Sequence, residues 1–87
     1  MKPTIERALL GVACEYDRGF RINGGHILDH PHTTNAQRLI VVVKKIGEVS
    51  KLCIFERSAD VTPLYTELIQ LANIAVTWAA YLKEQSE

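Results

Sequence analysis

Two short patterns of charged and amide side chains could do chemistry in this chain. Glu67, Gln70, Asn73 or Ile74, and Thr77 step by three or four along a segment otherwise rich in Leu, Ile, Val and Ala, so they form one narrow polar stripe on a helix. Lys44, Lys45, Glu48 and Lys51 form a similar stripe upstream. A carboxylate such as Glu67 on an apolar helix needs a cation, a hydrogen-bond partner or water. It can meet that need by facing solvent, by pairing with a lysine of the neighbouring helix, or by joining a metal or ligand site between helices, as bundles commonly build them. Lys44 and Glu48, four apart, can pair on their own helix, and such a stripe is ordinarily a solvated charged face.

Other reactive residue types are less well placed. His26, Asp29, His30 and His32 crowd one loop, where three ligands could hold Zn²⁺ or Ni²⁺. No cysteine joins them, and the loop containing Gly24-Gly25 does not fix their geometry, so solvent-exposed histidines are expected there. Cys14 and Cys53 lie in apolar segments and read as buried small hydrophobes of a reducing compartment. Neither has a His or Asp at a spacing that would activate it. Trp78 and Tyr81 read as core or interface aromatics rather than a base-stacking platform.

Three helices must position these residues. Ile5, Leu9, Val12 and Tyr16 make one apolar stripe, with Pro3 in the first turn, Glu6 at the positive end of the dipole and Gly19 at the expected end, so the first helix spans about 3–20. A loop follows over 21–34, and Thr33 or Thr34 can cap the next helix. Leu39 to Val43 is a β-branched run that could be a strand of an α+β fold. However, Ala36 to Phe55 contains no proline, and Ile46, Val49, Leu52 and Cys53 continue a helical period, which favours a helix over about 35–57. Ser58 to Thr62 is a turn, Thr62-Pro63 reads as a cap and first helical residue, and the third helix runs over about 63–83. That helix is apolar nearly all round, a pattern that calls for burial on most sides.

The chain has 87 residues, 47% of them hydrophobic, with ten basic residues balanced by ten acidic ones. This is one small domain, 1–87, whose lone core is marginal, and part of its apolar surface is expected to be buried against a second copy. The expected class is all-α, with three main helices completing a four-helix-bundle-like core by homo-oligomerisation, as a dimer or a dimer of dimers. A zero net charge gives no field to attract nucleic acid or an anionic membrane, so neither is an expected partner. Met1-Lys2-Pro3 running into Glu6-Arg7 lacks a signal-peptide pattern, and the longest apolar run is far too short to span a bilayer, so a cytoplasmic protein is expected.

Taken together, Arg38, then Lys44-Lys45-Ile46-Gly47-Glu48-Val49, then Glu67-Leu68-Ile69-Gln70 and Trp78, resemble the MazG-like, all-α nucleoside triphosphate pyrophosphohydrolases. The resemblance covers roughly residues 5–83, including an opening Glu-Arg helix and a His-Pro loop before the second helix. In that family one helix carries Glu-Glu-x-x-Glu and the next Glu-x-x-Asp. These acids hold Mg²⁺, which holds a nucleoside triphosphate while water attacks it, giving a monophosphate and pyrophosphate. The resemblance implies Glu48 and Glu67 as the catalytic and metal-binding acids, with Lys44, Lys45 and Gln70 meeting the substrate. Lys44-Lys45 stands where the family has Glu-Glu, and Gln70 where it has Asp. Mg²⁺ wants hard anionic oxygens, and an adjacent lysine repels it and prefers a phosphate or Glu48. The expectation is a divergent MazG-like protein related to NTPs or dNTPs, with a degraded metal site and weak or lost hydrolysis. The alternatives are a non-catalytic homo-oligomeric binding or regulatory module, or an active Mg²⁺-dependent pyrophosphohydrolase with an altered site.

Overall fold

The computed structural model describes residues 1–23, 27–55 and 59–86. They form α1 (Pro3–Asn23), a short 3₁₀ turn (Ile27–Asp29), α2 (Asn35–Ile54) and α3 (Thr62–Gln85), with no strand among the described residues. The class is all-α, and the Leu39–Val43 run lies inside α2.

Local chemistry sets the boundaries. α1 does not stop at Gly19 but continues to Asn23. Tyr16 and Phe20, one turn apart, stack across that stretch with centroids 6.4 Å apart, and the Arg21 Nε donates to the Asp17 carbonyl. One interior glycine costs only about 1 kcal/mol, which such contacts offset. Thr34 caps α2 in a reciprocal box: its Oγ1 accepts from the Gln37 N–H at 3.1 Å, and the Gln37 Oε1 accepts from the Thr34 N–H at 2.8 Å. That fixed start, with the long uninterrupted period behind it, outweighs the strand preference of the valines. α2 ends at Ile54, capped by Phe55, short of the expected 57; residues 56–58 lie outside the described residues. Thr62 is the first residue of α3 rather than its cap. Its N–H donates to the Asp60 Oδ1 at 2.9 Å, so Asp60 satisfies the helix start.

α3 packs against α2, α1 and the 3₁₀ turn alike. Its polar stripe faces into the fold: Asn73 and Thr77 are buried, with the Thr77 hydroxyl donating to the Asn73 Oδ1 at 3.2 Å, and Glu67 and Gln70 are half-buried. One chain does not cover the apolar circumference of this helix, since Leu68, Val76 and Leu82 are exposed. Only Val12, Leu28 and Ile74 are buried hydrophobic residues among those described. Cys14 and Cys53, expected inside, are exposed on α1 and α2. No helix among the described residues is long and apolar enough to cross a membrane.

Arg38 holds the loop between α1 and α2. The residue is 2% exposed, and its guanidinium donates to the Leu28 carbonyl at 2.7 Å, the His30 carbonyl at 2.9 Å and the Asn35 Oδ1 at 3.1 Å. Its guanidinium carbon lies 4.2 Å from the centre of the Tyr81 ring, tying the same group to α3. Trp78 is half-buried and donates through Nε1 to the same Asn35 oxygen at 3.1 Å.

Candidate functional site between the second and third helices

Helical spacing brings two pairs of side chains face to face. Lys45 and Glu48 are three apart on α2, and Glu67 and Gln70 are three apart on α3. Where the helices meet, the Lys45 Nζ donates to the Glu48 Oε2 at 2.8 Å, the Glu67 Oε2 at 2.9 Å and the Gln70 Oε1 at 2.8 Å. An ammonium has three N–H bonds, so its donor capacity is fully committed. The Lys45 and Glu67 side chains are 18% and 24% exposed, and Glu48 is wetter at 42%.

Electrostatics reinforce this arrangement. Burial opposes the charge on Lys45, but the hydrogen bonds to Glu48 and Glu67, and their negative charges, outweigh it and hold its pKa above the ordinary lysine value. The Glu48 carboxyl is held below its usual range, first by the hydrogen bond from Lys45, then by its contact with Glu67 and the Lys45 charge; Lys44 adds a smaller pull. A carboxylate with a depressed pKa is a poor general base at neutral pH.

Of the five residues expected at the site, Lys45, Glu48, Glu67 and Gln70 come together. Lys44 is exposed and outside this hydrogen-bonded cluster, and the partner of Glu48 on its own helix is Lys45 rather than Lys44. Of the three ways Glu67 could find a partner, the structure uses pairing with a lysine of the neighbouring helix. The arrangement suits an internal cation better than Mg²⁺: the ammonium already lies where three oxygens converge, and it balances charge that would otherwise attract a divalent ion. A cavity of about 290 Å³ opens beside Lys45, lined also by Gln70, Asn73, Glu15 and Arg18. Arg18 grips Glu15 through two bonds of 2.6 and 3.1 Å, which lowers the Glu15 pKa. Both cations at this cavity are therefore already paired with carboxylates.

The histidine loop is engaged elsewhere. The His30 Nδ1 accepts from the His32 N–H at 3.2 Å, and both rings are exposed. Asp29 turns away to accept from the Tyr16 hydroxyl at 2.8 Å, and His26 lies outside the described residues. No group of three or more His, Cys, Asp or Glu among the described residues is arranged to hold a metal ion. Sequence reasoning missed the structural role of Arg38; the available signal was a lone arginine between the Thr34 cap and an apolar run.

No family model, curated protein or solved structure matches the chain. The MazG-like resemblance therefore rests on the spacing of Arg38, Lys44-Lys45, Glu48, Glu67, Gln70 and Trp78 within three helices.

Proposed function

We propose that this chain is a divergent, MazG-like helical protein that has exchanged metal-dependent nucleotide hydrolysis for a role as a cytoplasmic homo-oligomeric binding or regulatory module. The observation that carries the reading is the Lys45 ammonium, bonded at once to Glu48, Glu67 and Gln70. In the family that the sequence resembles, the corresponding acids would hold Mg²⁺ and through it a triphosphate. Here an internal cation satisfies both acids, and a nucleotide would have to break the same contacts to reach Lys45.

Self-association is supported by the surface. Leu39, Val43, Ile46 and Cys53 form one exposed, uncharged stripe on α2, at steps of four, three and seven. Leu68, Ala75, Ala79 and Leu82 form another on α3, at steps of seven, four and three. With only Val12, Leu28 and Ile74 buried among the described hydrophobic residues, two such stripes call for apolar cover. A second copy, always present at equal concentration, supplies it and completes a four-helix bundle.

The test is pyrophosphate release from a panel of NTPs and dNTPs with Mg²⁺, with Mn²⁺ and without metal, on protein shown to be folded. The expected result is no turnover. Metal-dependent turnover that disappears in both Glu48→Gln and Glu67→Gln would overturn the proposal and restore the active-enzyme reading.

A further inference from the structure

α1 and α3 flank a second, half-open cleft, of about 440 Å³, whose lining contains none of Lys45, Glu48, Glu67 or Gln70. Its two ends differ in chemistry. Leu9, Val12 and Ala13 of α1 face Val76 and Ala80 of α3 across an apolar half. Asp17, Asp29 and Glu84 bring three carboxylates to the lining, and no Lys, Arg or His is among the described residues that line the cleft. The Tyr16 phenol samples this acidic half directly. It donates to the Asp29 Oδ2 at 2.8 Å, and its pKa is raised by that bond, then by burial, then by the charges of Asp29, Glu84 and Asp17.

We propose that this cleft binds a small organic cation, an ammonium carried on an apolar body of one or two rings. Charge complementarity selects the cation: three acids, with no basic side chain among the described lining residues, favour a positive group and repel an anion. The apolar half selects the body: the three acids are not gathered into a metal-holding group among the described residues, while Leu9, Val12, Ala13, Val76 and Ala80 give a ring system apolar surface to cover. The volume falls within the range of small-molecule pockets. Asn73 and Thr77 also line the cleft, and they bond each other, so they leave the apolar half free of strong competing demands.

The test uses the full chain and three ligands of one shape: tryptamine, the neutral alcohol tryptophol and the anion indole-3-propionate. Binding is read by ¹H–¹⁵N chemical shifts and calorimetry at low and moderate salt. Tryptamine is expected to shift Ala13, Val76 and Ala80, to bind about tenfold tighter than the alcohol and to weaken with salt, with the anion weakest. The double variant Asp17→Asn, Glu84→Gln should lose about tenfold in affinity for tryptamine and little for tryptophol. Ala80→Leu should abolish binding of both by filling the apolar half. No binding at millimolar ligand, equal affinity for all three ligands, or shifts confined to other residues would overturn the proposal. So would concentration-dependent shifts of Ala13, Val76 and Ala80 in the ligand-free chain, which would mean that a second copy fills the cleft. If either variant fails to fold, the ligand series on the natural chain still decides. Failure here leaves the reading of Lys45 untouched, since pyrophosphate release does not report on this cleft.

Discussion

Replacing Lys45 with methionine keeps most of the side chain's length and apolar stem while deleting the charge that joins α2 to α3. An exposed ion pair contributes about 0.2–1 kcal/mol, and breaking a buried one costs about 3–5 kcal/mol. Lys45 and Glu67, at 18% and 24% exposure, lie between these limits, so their separation should cost about 1–3 kcal/mol. For a domain of this size that is roughly 5–15 °C in melting temperature. The measurement is urea or thermal unfolding followed by far-UV circular dichroism, at one fixed chain concentration because the proposed self-association would contribute to stability.

The pH profile separates this account from a simple packing loss. Glu48 titrates below 4.5 in the folded chain, so its contribution is complete above 4.5 and fades as pH falls through the lower folded value. Lys45 titrates above 10.5, so its contribution is complete below 10.5 and fades as pH rises through the higher folded value. Between about pH 5 and 10 the natural cluster should contribute a constant amount. In Lys45→Met two carboxylates that shared one ammonium face each other with no cation between them, and protonating either one relieves the repulsion. The variant should therefore gain stability relative to the natural chain as pH falls from 7 to 5. An equal loss at both pH values, or no loss, would refute the view that Lys45 serves as the charge partner of these acids.

Three further outcomes follow from the geometry. Arg38→Met removes a buried guanidinium that serves three protein acceptors, among them the Leu28 and His30 carbonyls, so it should cost about 3 kcal/mol and loosen the 27–34 segment in hydrogen exchange. Thr34→Ala removes half of the capping box and should cost about 1 kcal/mol in the same unfolding assay, while Thr33→Ala should cost much less. Ile46→Glu with Leu68→Glu places carboxylates on the two outward stripes; sedimentation should show an oligomer for the natural chain and a smaller species for the variant, and a natural chain that is monomeric at micromolar concentration would remove the case for self-association.

Much of the architecture was legible in the sequence because helical period and punctuation agree over long stretches. The stripe Ile5, Leu9, Val12, Tyr16, the Thr34 cap and Pro63 each announce an element that the structure contains. Ends were harder to place, since they depend on single contacts that periodicity does not encode. Gly19 looked like a stop, yet the Tyr16–Phe20 stack carries α1 past it, and Asp60 rather than Thr62 satisfies the start of α3. The choice between Lys44 and Lys45 was not legible either. The two are identical in type and adjacent in sequence, and one residue rotates a side chain by about 100° around the helix axis. Only the register of α2 against α3 decides which of them reaches Glu67.

The interior of α3 explains why its polar stripe was conspicuous in the sequence and hard to interpret. A stripe of Glu67, Gln70, Asn73 and Thr77 on an apolar helix fits a wet outer face or an inner polar seam alike; in the fold it is the inner one, serving Lys45 and the cleft walls, while Leu68 and Leu82 are exposed. A polar inner face and an apolar outer face are costly for an isolated chain, because buried polar groups must all be matched and exposed leucines gain nothing from water. The inner cost is met locally: no buried side-chain nitrogen or oxygen among the described residues lacks a hydrogen-bond partner. The outer cost is not met within the chain. If Lys45 has closed the inner site to metal, the outward apolar stripe is the feature of α3 that still calls for a partner.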